Sequence, residues 1–475
     1  MISIAILFLL IISSLSEDKL VFLMTHIRHG ARAPQKYYDQ SKYLDYVLES
    51  WNNPGELTPI GQRMHYALGL QNREDYITKK KFLSENFDPH EILIYSTKFN
   101  RTLLSVSSFF QGLYPPGTGG NITEEQKNNS KPQVNLSPEV EKELEKLELN
   151  SLPEKMSVVP VRMINDNERK IIIYDIPECL WKRDEMRKIN LEKSEDLKKF
   201  IEEFKKKYKD DIFKIYETKP EYNIDFIDNF CDAFISGSTE LKEMKKLNDT
   251  GINKNELLDQ CFEFMKLNFR DWISGDSERI LPTLEVSKLM REFIHYMNQR
   301  IDADIKGEDT SKNYEDYSKP KMLMISGHDS TISMWEMFLI KVFKNNNNTD
   351  YIYPKFASEL TFEITVNSAL TKKERTDYKI NCYLNGKPFI NEMTVDDFIN
   401  NVTNKLYSDD KIDEICHFKS SDSIDIYFIL TIVFSATTGI LLILMVFFII
   451  KACRSKNSET IVKEGRLLNN SETSF

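Results

Sequence analysis

The sequence predicts an α/β protein carrying a mostly helical insertion. Three short apolar runs point to the α/β part: residues 20–24, 92–95 and 322–326. Each is continuously apolar rather than alternating, the pattern of a parallel strand buried on both faces. Each also runs straight into a polar cluster followed by a helical pattern. Between the second and third runs the chain turns rich in Lys, Glu and Asn, with amphipathic helices such as the one marked by Leu197, Phe200, Ile201, Phe204 and Tyr208. That stretch is the insertion.

The elements follow in chain order. Residues 1–16 read as a secretory signal peptide: an apolar run from Ile2 to Ile12, then a small-x-small site at Ser14-Leu15-Ser16. Residues 17–118 form the first part of the core. Within it Thr58 is placed to cap a helix with Pro59 at its first position, and Ile60, Met64 and Leu68 make its apolar stripe. A second helix runs from about Arg101 and stops at Gly112, before Pro115-Pro116. Residues 119–282 are the helical cap insertion, and 283–417 complete the core. After a short stalk at 418–425, residues 426–450 form an apolar run without a charge. It is long enough to cross a hydrocarbon core of about 30 Å as one transmembrane helix. Asp422 and Asp425 precede it, and Lys451, Arg454 and Lys456 follow it, so the tail 451–475 is expected on the cytosolic side of a single-pass type I membrane protein.

Composition narrows the function. Of 475 residues, 63 are Lys or Arg and 73 Asp or Glu, a net charge of −10. That balance excludes a general nucleic-acid binder, which needs a basic face for phosphates. The 41% hydrophobic and 11% aromatic content excludes a disordered chain. Cys179, Cys231, Cys261, Cys382 and Cys416 fall on the oxidising side of the membrane, where two disulfides and one free thiol are the simplest account. The sequons at Asn121, Asn248, Asn347 and Asn401 fit surface loops of a glycoprotein. His26, His65, His90, His295 and His417 read as packing or surface residues.

Ligands of open α/β sheets bind beyond the carboxyl ends of the strands. Here those ends bring together Arg28-His29-Gly30-Ala31-Arg32, Ser96-Thr97 with Arg101, and His328-Asp329. Arginine is a permanently charged fork that grips phosphate oxygens in pairs, and three around one point describe a site for a phosphate dianion. A histidine among them is a ligand or a nucleophile. An aspartate in so positive a site has a use as proton donor to a leaving oxygen.

Arg28-His29-Gly30-Ala31-Arg32-Ala33-Pro34 resembles the RHGxRxP signature of the histidine acid phosphatases, a branch of the histidine phosphatase superfamily. Leu57-Thr58-Pro59-Ile60-Gly61 is similar to that family's LTxxG, and Ser96-Thr97 through Arg101-Thr102 to its STxxxRT. Gly112-Leu113-Tyr114-Pro115-Pro116, Ser326-Gly327-His328-Asp329-Ser330-Thr331 and Pro354 through Glu359 match further family blocks in the same order. The resemblance implies a three-layer α/β/α core, with the active site between core and cap. It implies His29 as the nucleophile that forms a phosphohistidine, its ring held by a hydrogen bond to a backbone carbonyl. It makes Asp329 the general acid and places Arg28, Arg32, Arg101 and His328 on the phosphate. No metal and no other cofactor is implied. The substrates would be small phosphate monoesters, hydrolysed in a lysosomal or vacuolar lumen or outside the cell, with a homodimer left open.

Two positions depart from the family pattern. Tyr95 stands where an arginine is common, and His26 where an apolar strand residue is usual. Asn100-Arg101-Thr102 is formally a sequon, expected to stay unmodified if it lies on the pocket floor. Two other readings are a phytase or inositol-phosphate phosphatase, which calls for extra Lys and Arg from the cap, and a catalytically silent ligand-binding ectodomain. The segment Glu464-Gly465-Arg466-Leu467-Leu468 resembles an acidic dileucine sorting signal with its acid one position too close.

Overall fold

Among the described residues seven strands make one mixed sheet: β1 (Asp18–Arg28), β2 (Ile92–Ser96), β3 (Arg162–Met163), β4 (Met322–Gly327), β5 (Glu359–Asn367), β6 (Lys379–Leu384) and β7 (Lys387–Thr394), in the order β3-β2-β4-β1-β5-β6-β7. The computed structural model describes residues 18–35, 54–163, 177–216, 221–241, 250–274, 280–308, 319–344, 350–417 and 444–451. The expected signal peptide, the stalk, residues 426–443 of the expected span, the dileucine-like segment, and the sequons at Asn248 and Asn347 lie outside them. The chain divides into two units, 1–413 and 414–475. In the second, residues 444–451 are helical and the apolar side chains from Leu444 to Ile450 are exposed. No helix among the described residues is long and apolar enough to cross a membrane.

The β2, β4 and β1 strands run parallel, and β5, β6 and β7 continue the sheet antiparallel. Alternate side chains of the parallel strands enter two different apolar clusters, as burial on both faces requires. Leu23, Ile27, Ile92, Ile94, Met322 and Met324 join one cluster with Val106, Phe109, Phe110 and Leu113. Met24, Leu93, Tyr95, Leu323 and Ile325 join the other with Trp335, Phe338 and Phe293.

The first cluster is covered by α1 (Pro59–Arg73) and α2 (Asn100–Leu113). Thr58 caps α1 as expected, its hydroxyl accepting from the Gly61 N–H at 3.1 Å. The buried line of α1 differs from the apolar stripe: Gly61, His65, Gly69 and Asn72 are buried, whereas Ile60, Met64 and Leu68 are only partly so. The reason is backbone proximity. A Cβ on Gly69 would strike the carbonyl of Phe109, and one on Gly112 would strike the carbonyl of Tyr66, so the two helices meet through their glycines.

Among the described residues, 119–274 contain α3 (Glu124–Asn129), α4 (Pro138–Glu145), α5 (Pro177–Lys193), α6 (Glu195–Tyr216), α7 (Ile224–Thr239) and α8 (Lys254–Ser274), with the two-residue β3 as their strand. Leu197, Phe200, Phe204 and Tyr208 of α6 are buried, and Lys205 to Lys207 are exposed, as the amphipathic pattern demands. A disulfide joins Cys231 of α7 to Cys261 of α8. Cys416 is disulfide-bonded too, and Cys382 of β6 is a buried free thiol. The chain then returns to the sheet through α9 (Ile280–Lys306) and leaves β4 through α10 (Asp329–Phe343).

Candidate active site

The register of the parallel strands builds the site. Arg28 pairs with Gly327 and Ser96 with Ser326, so β1, β2 and β4 end at one edge. The ladder continues one residue further on both sides: the His29 N–H donates to the Gly327 carbonyl at 3.0 Å, and the Thr97 N–H to Ser326 at 3.2 Å. His29, Thr97 and His328 therefore leave the sheet side by side. Backbone contact holds this corner together. A Cβ on Gly30 would collide with the Gly61 backbone at the start of α1, and the Gly30 N–H donates to the Ser105 hydroxyl of α2 at 3.0 Å.

His29 is buried, and its Nδ1–H donates to the Gly30 carbonyl at 2.9 Å. That bond leaves Nε2 as the nitrogen with the free lone pair. Burial comes first in holding the ring neutral; Arg28 and Arg32 add to it, and the pKa sits well below the ordinary histidine value. His328 faces the His29 ring edge-on with centroids 5.6 Å apart. Arg101 Nη2 donates to His328 Nδ1 at 3.4 Å, so Nε2–H donates to Thr97 Oγ1 at 3.0 Å. Burial and then Arg101 lower the His328 pKa to about 3.

Arg28 is buried at the end of β1. Its Nη1 donates to the Pro354 carbonyl at 2.7 Å, and its Nη2 pairs with Asp329 Oδ2 at 2.8 Å. The Phe356 ring lies 4.6 Å from its guanidinium carbon, a cation–π contact that fixes the fork. Arg101 lies over Phe99 in the same way, at 4.4 Å. Asp329 is the first residue of α10, where the Ser330 N–H donates to Oδ1 at 2.9 Å and the Tyr353 hydroxyl to Oδ2 at 3.1 Å. Burial pushes its carboxyl up, but the charges of Arg28 and Arg32 outweigh burial and hold it below its ordinary value.

Arg32 meets a residue that the motifs do not contain. Its Nη2 donates to Asp232 Oδ1 at 2.8 Å and its Nη1 to Oδ2 at 3.3 Å, while the Gln35 N–H adds a bond to Oδ2 at 2.9 Å. Asp232 comes from α7, 200 residues along the chain. All six residues singled out in the sequence thus belong to one cluster, Thr97 of the second strand end joins it through His328, and the structure adds Asp232, Tyr353 and Phe356. Tyr353 and Phe356 flank or lie within the segment beginning at Pro354 that matches the family. No local signal distinguishes Asp232 from the many other carboxylates of the insertion. Asn100, by contrast, is exposed, its amide donating to Glu56 at 3.3 Å, and is not on the pocket floor. The open space in front of the cluster is a cavity of about 220 Å³, walled by Arg32, Arg101, His328 and Asp329 on one side and by Arg187, Asp232, Trp272 and other residues of α5, α7 and α8 on the other.

A model of the histidine phosphatase superfamily (branch 2) matches residues 19–381, and the chain belongs to that superfamily. The chain is 39% identical over 101 residues to putative acid phosphatase 11 of Caenorhabditis elegans, covering 21% of this chain and 24% of that protein. It is 32% identical over 153 residues to the lysosomal acid phosphatase of Xenopus laevis, covering 32% and 34%. These matches span a quarter to a third of the relatives' own length. Among solved structures, the apo form of Hafnia alvei phytase aligns with a TM-score of 0.49 at 12% identity, covering 84% of this chain and 98% of that one.

Proposed function

We propose that the protein is an acid phosphatase that hydrolyses phosphate monoesters through a phosphohistidine on His29. The observation that carries this reading is the bond from His29 Nδ1–H to the Gly30 carbonyl. It presents an unprotonated Nε2 beside three guanidiniums, the arrangement an attack on a phosphate dianion needs. Nε2 attacks phosphorus, the bond to the leaving oxygen breaks, and Asp329 gives that oxygen its proton. Water then attacks the phosphohistidine, Asp329 takes the water's proton, and the N–P bond opens to release phosphate. Arg28, Arg32, Arg101 and His328 bind the equatorial oxygens and neutralise charge as it develops, aided by the N-terminus of α10.

Asp329 must be protonated for the first step, and substrate supplies the condition. A dianion that engages Arg28 and Arg32 cancels the charges that hold the carboxyl low, leaving burial to raise it. Proton donor and binding site are thus coupled.

The membrane and compartment readings belong to the same proposal. The charge-free run 426–450 and the basic residues after it support a single-pass type I anchor. The residues up to 425 then face a lysosomal or vacuolar lumen or the exterior, a reading supported by similar proteins with lysosomal names. Residues 17–118 and 283–417 form the catalytic core, with 119–282 as the cap that shapes substrate choice.

The test is hydrolysis of a small aryl phosphate by the full chain, swept from acid to neutral pH. His29→Ala abolishes turnover, and base-quenched enzyme incubated with labelled substrate retains one label per active site. Turnover that survives His29→Ala sinks the mechanism.

A further inference from the structure

The cap places carboxylates where a site for anions would be expected to place cations. We infer that Asp232 and Asp228 of α7 form a charge filter that admits monoesters with an uncharged leaving group and turns away those carrying a second negative charge near the phosphoryl group. This rests on the phosphatase reading and names the substrate class for the same pocket.

Asp232 holds both arms of the Arg32 fork, the group that also has to grip phosphate. Asp228 stands one helical turn before it, on the same face of α7. Its Oδ1 accepts from the Asn268 amide at 3.2 Å, and its Oδ2 lies 4.0 Å from Arg187. Both acids line the cavity, and Arg187 is the single cation that the cap contributes to it among the described residues.

Counting Arg28 with the described residues that line the cavity gives four guanidiniums against three carboxylates, a net of one positive charge when the two site histidines are neutral. Protonation of Asp329 for catalysis raises this to two, which one phosphate dianion balances. A second anionic group on the substrate then finds no net positive charge left to meet it among the described residues that line the cavity. It sits instead against Asp232, which phosphate binding on Arg32 deprives of much of its counter-charge, and against Asp228. Like charges in a half-buried cleft repel at an effective dielectric well below that of water. An uncharged leaving group escapes this repulsion and has the Trp272, Phe269 and Met265 side chains of the same wall to lie against.

The experiment uses the full-length protein and compares kcat/KM for phenyl phosphate with kcat/KM for 4-carboxyphenyl phosphate, whose extra charge lies on the leaving group. The wild type is expected to prefer phenyl phosphate, and the preference is expected to fall by roughly tenfold in Asp232→Asn, a few ångströms of charge–charge contact at intermediate dielectric. Asp228→Asn lowers it in the same direction and serves as the second variant if Asp232→Asn does not fold. Raising the ionic strength shrinks the wild-type preference and leaves that of the variants nearly flat. A preference that is absent in the wild type, or unchanged in both variants, overturns the filter while the phosphatase reading stands. Failure of the wild type to hydrolyse either ester overturns that reading and the filter with it.

Discussion

The Arg28 guanidinium holds the Asp329 carboxylate at 2.8 Å, and both groups are largely buried. The proposed proton donor is therefore an anion until a substrate claims the arginine. Two consequences can be measured. Asp329→Asn is expected to lower kcat by about 10²–10⁴-fold on alkyl phosphates. The loss is much smaller on 4-nitrophenyl phosphate, whose leaving oxygen needs no proton. An equal loss on both would remove Asp329 from the donor role. The kcat profile falls on the alkaline side at a pH above the carboxyl's value in the free enzyme, because bound dianion cancels the charges of Arg28 and Arg32.

His26 Nε2 lies 3.1 Å from Thr331 Oγ1, and that hydroxyl accepts from the His328 N–H at 2.9 Å and donates to the His328 carbonyl at 2.8 Å. A hydroxyl has one proton, so His26 is the donor to it. His26 is then a positioning residue that fixes the cap of α10 and with it His328. His26→Leu is expected to raise KM for substrate, and Ki for phosphate, several-fold more than it lowers kcat, and His26→Gln recovers part of the loss because its amide can donate. A purely structural role would lower the melting temperature of both variants and leave KM alone.

Acid stability follows from the buried histidines. His26, His65 and His328 are lowered by burial to about 3, 4 and 3, and His29 falls well below its ordinary value. Below pH 6.5 the unfolded chain binds protons that the folded chain refuses, so stability falls as pH falls. Each group contributes at most about 1.4 kcal/mol per pH unit. Glu336, raised well above its ordinary value by burial, and Glu359, raised to about 7, act in the opposite direction: the folded chain keeps protons that the unfolded chain has lost. Four histidines against two carboxyls leave a net fall. The melting temperature should drop between pH 6.5 and pH 5, and Glu336→Gln should steepen the drop. A flat or rising profile would contradict the neutral state of these rings.

The glycine contacts make the sharpest packing prediction. Gly69→Ala forces a methyl group into the Phe109 carbonyl, where no flexible side chain can yield. Destabilisation of about 1–3 kcal/mol is expected from such overpacking, read by denaturant melts. Gly117→Ala provides a contrast: a Cβ there meets nothing within 4 Å, so only its positive φ opposes the change.

The sequence made the parallel half of the sheet legible because strands buried on both faces must be apolar throughout. Even so, β1 runs on to Arg28, since Thr25 and His26 are polar yet buried. The antiparallel half has a different signature: in β5, Leu360, Phe362, Ile364 and Val366 alternate with polar residues, which a search for continuous runs passes over. The stripe on α1 misled because burial there follows the glycines, and only the neighbouring backbone of α2 reveals that. The arginines and histidines of the site were legible because they fall at or just beyond the ends of three apolar strands: Arg28, His29 and Arg32 at β1, His328 at β4, and Arg101 in the first turn of the helix that follows β2. Asp232 was not, because its pairing with Arg32 depends on how α7 lies over the sheet, and no local spacing encodes that.

The contacts of Gly30 with Gly61 and of Gly69 with Gly112 form a chain of backbone-on-backbone seats. It runs from the end of β1 through α1 to α2, the helix that carries Arg101. Elements seated in this way have no side-chain layer between them that could slide. His29 and Arg101 are therefore parts of one stiff block, and the distance between the proposed nucleophile and the proposed anion grip is set before any ligand arrives. On the proposed reading, accommodation to different substrates then falls to the wall opposite, and directed variation of α5, α7 and α8 is expected to change what is hydrolysed without retuning how.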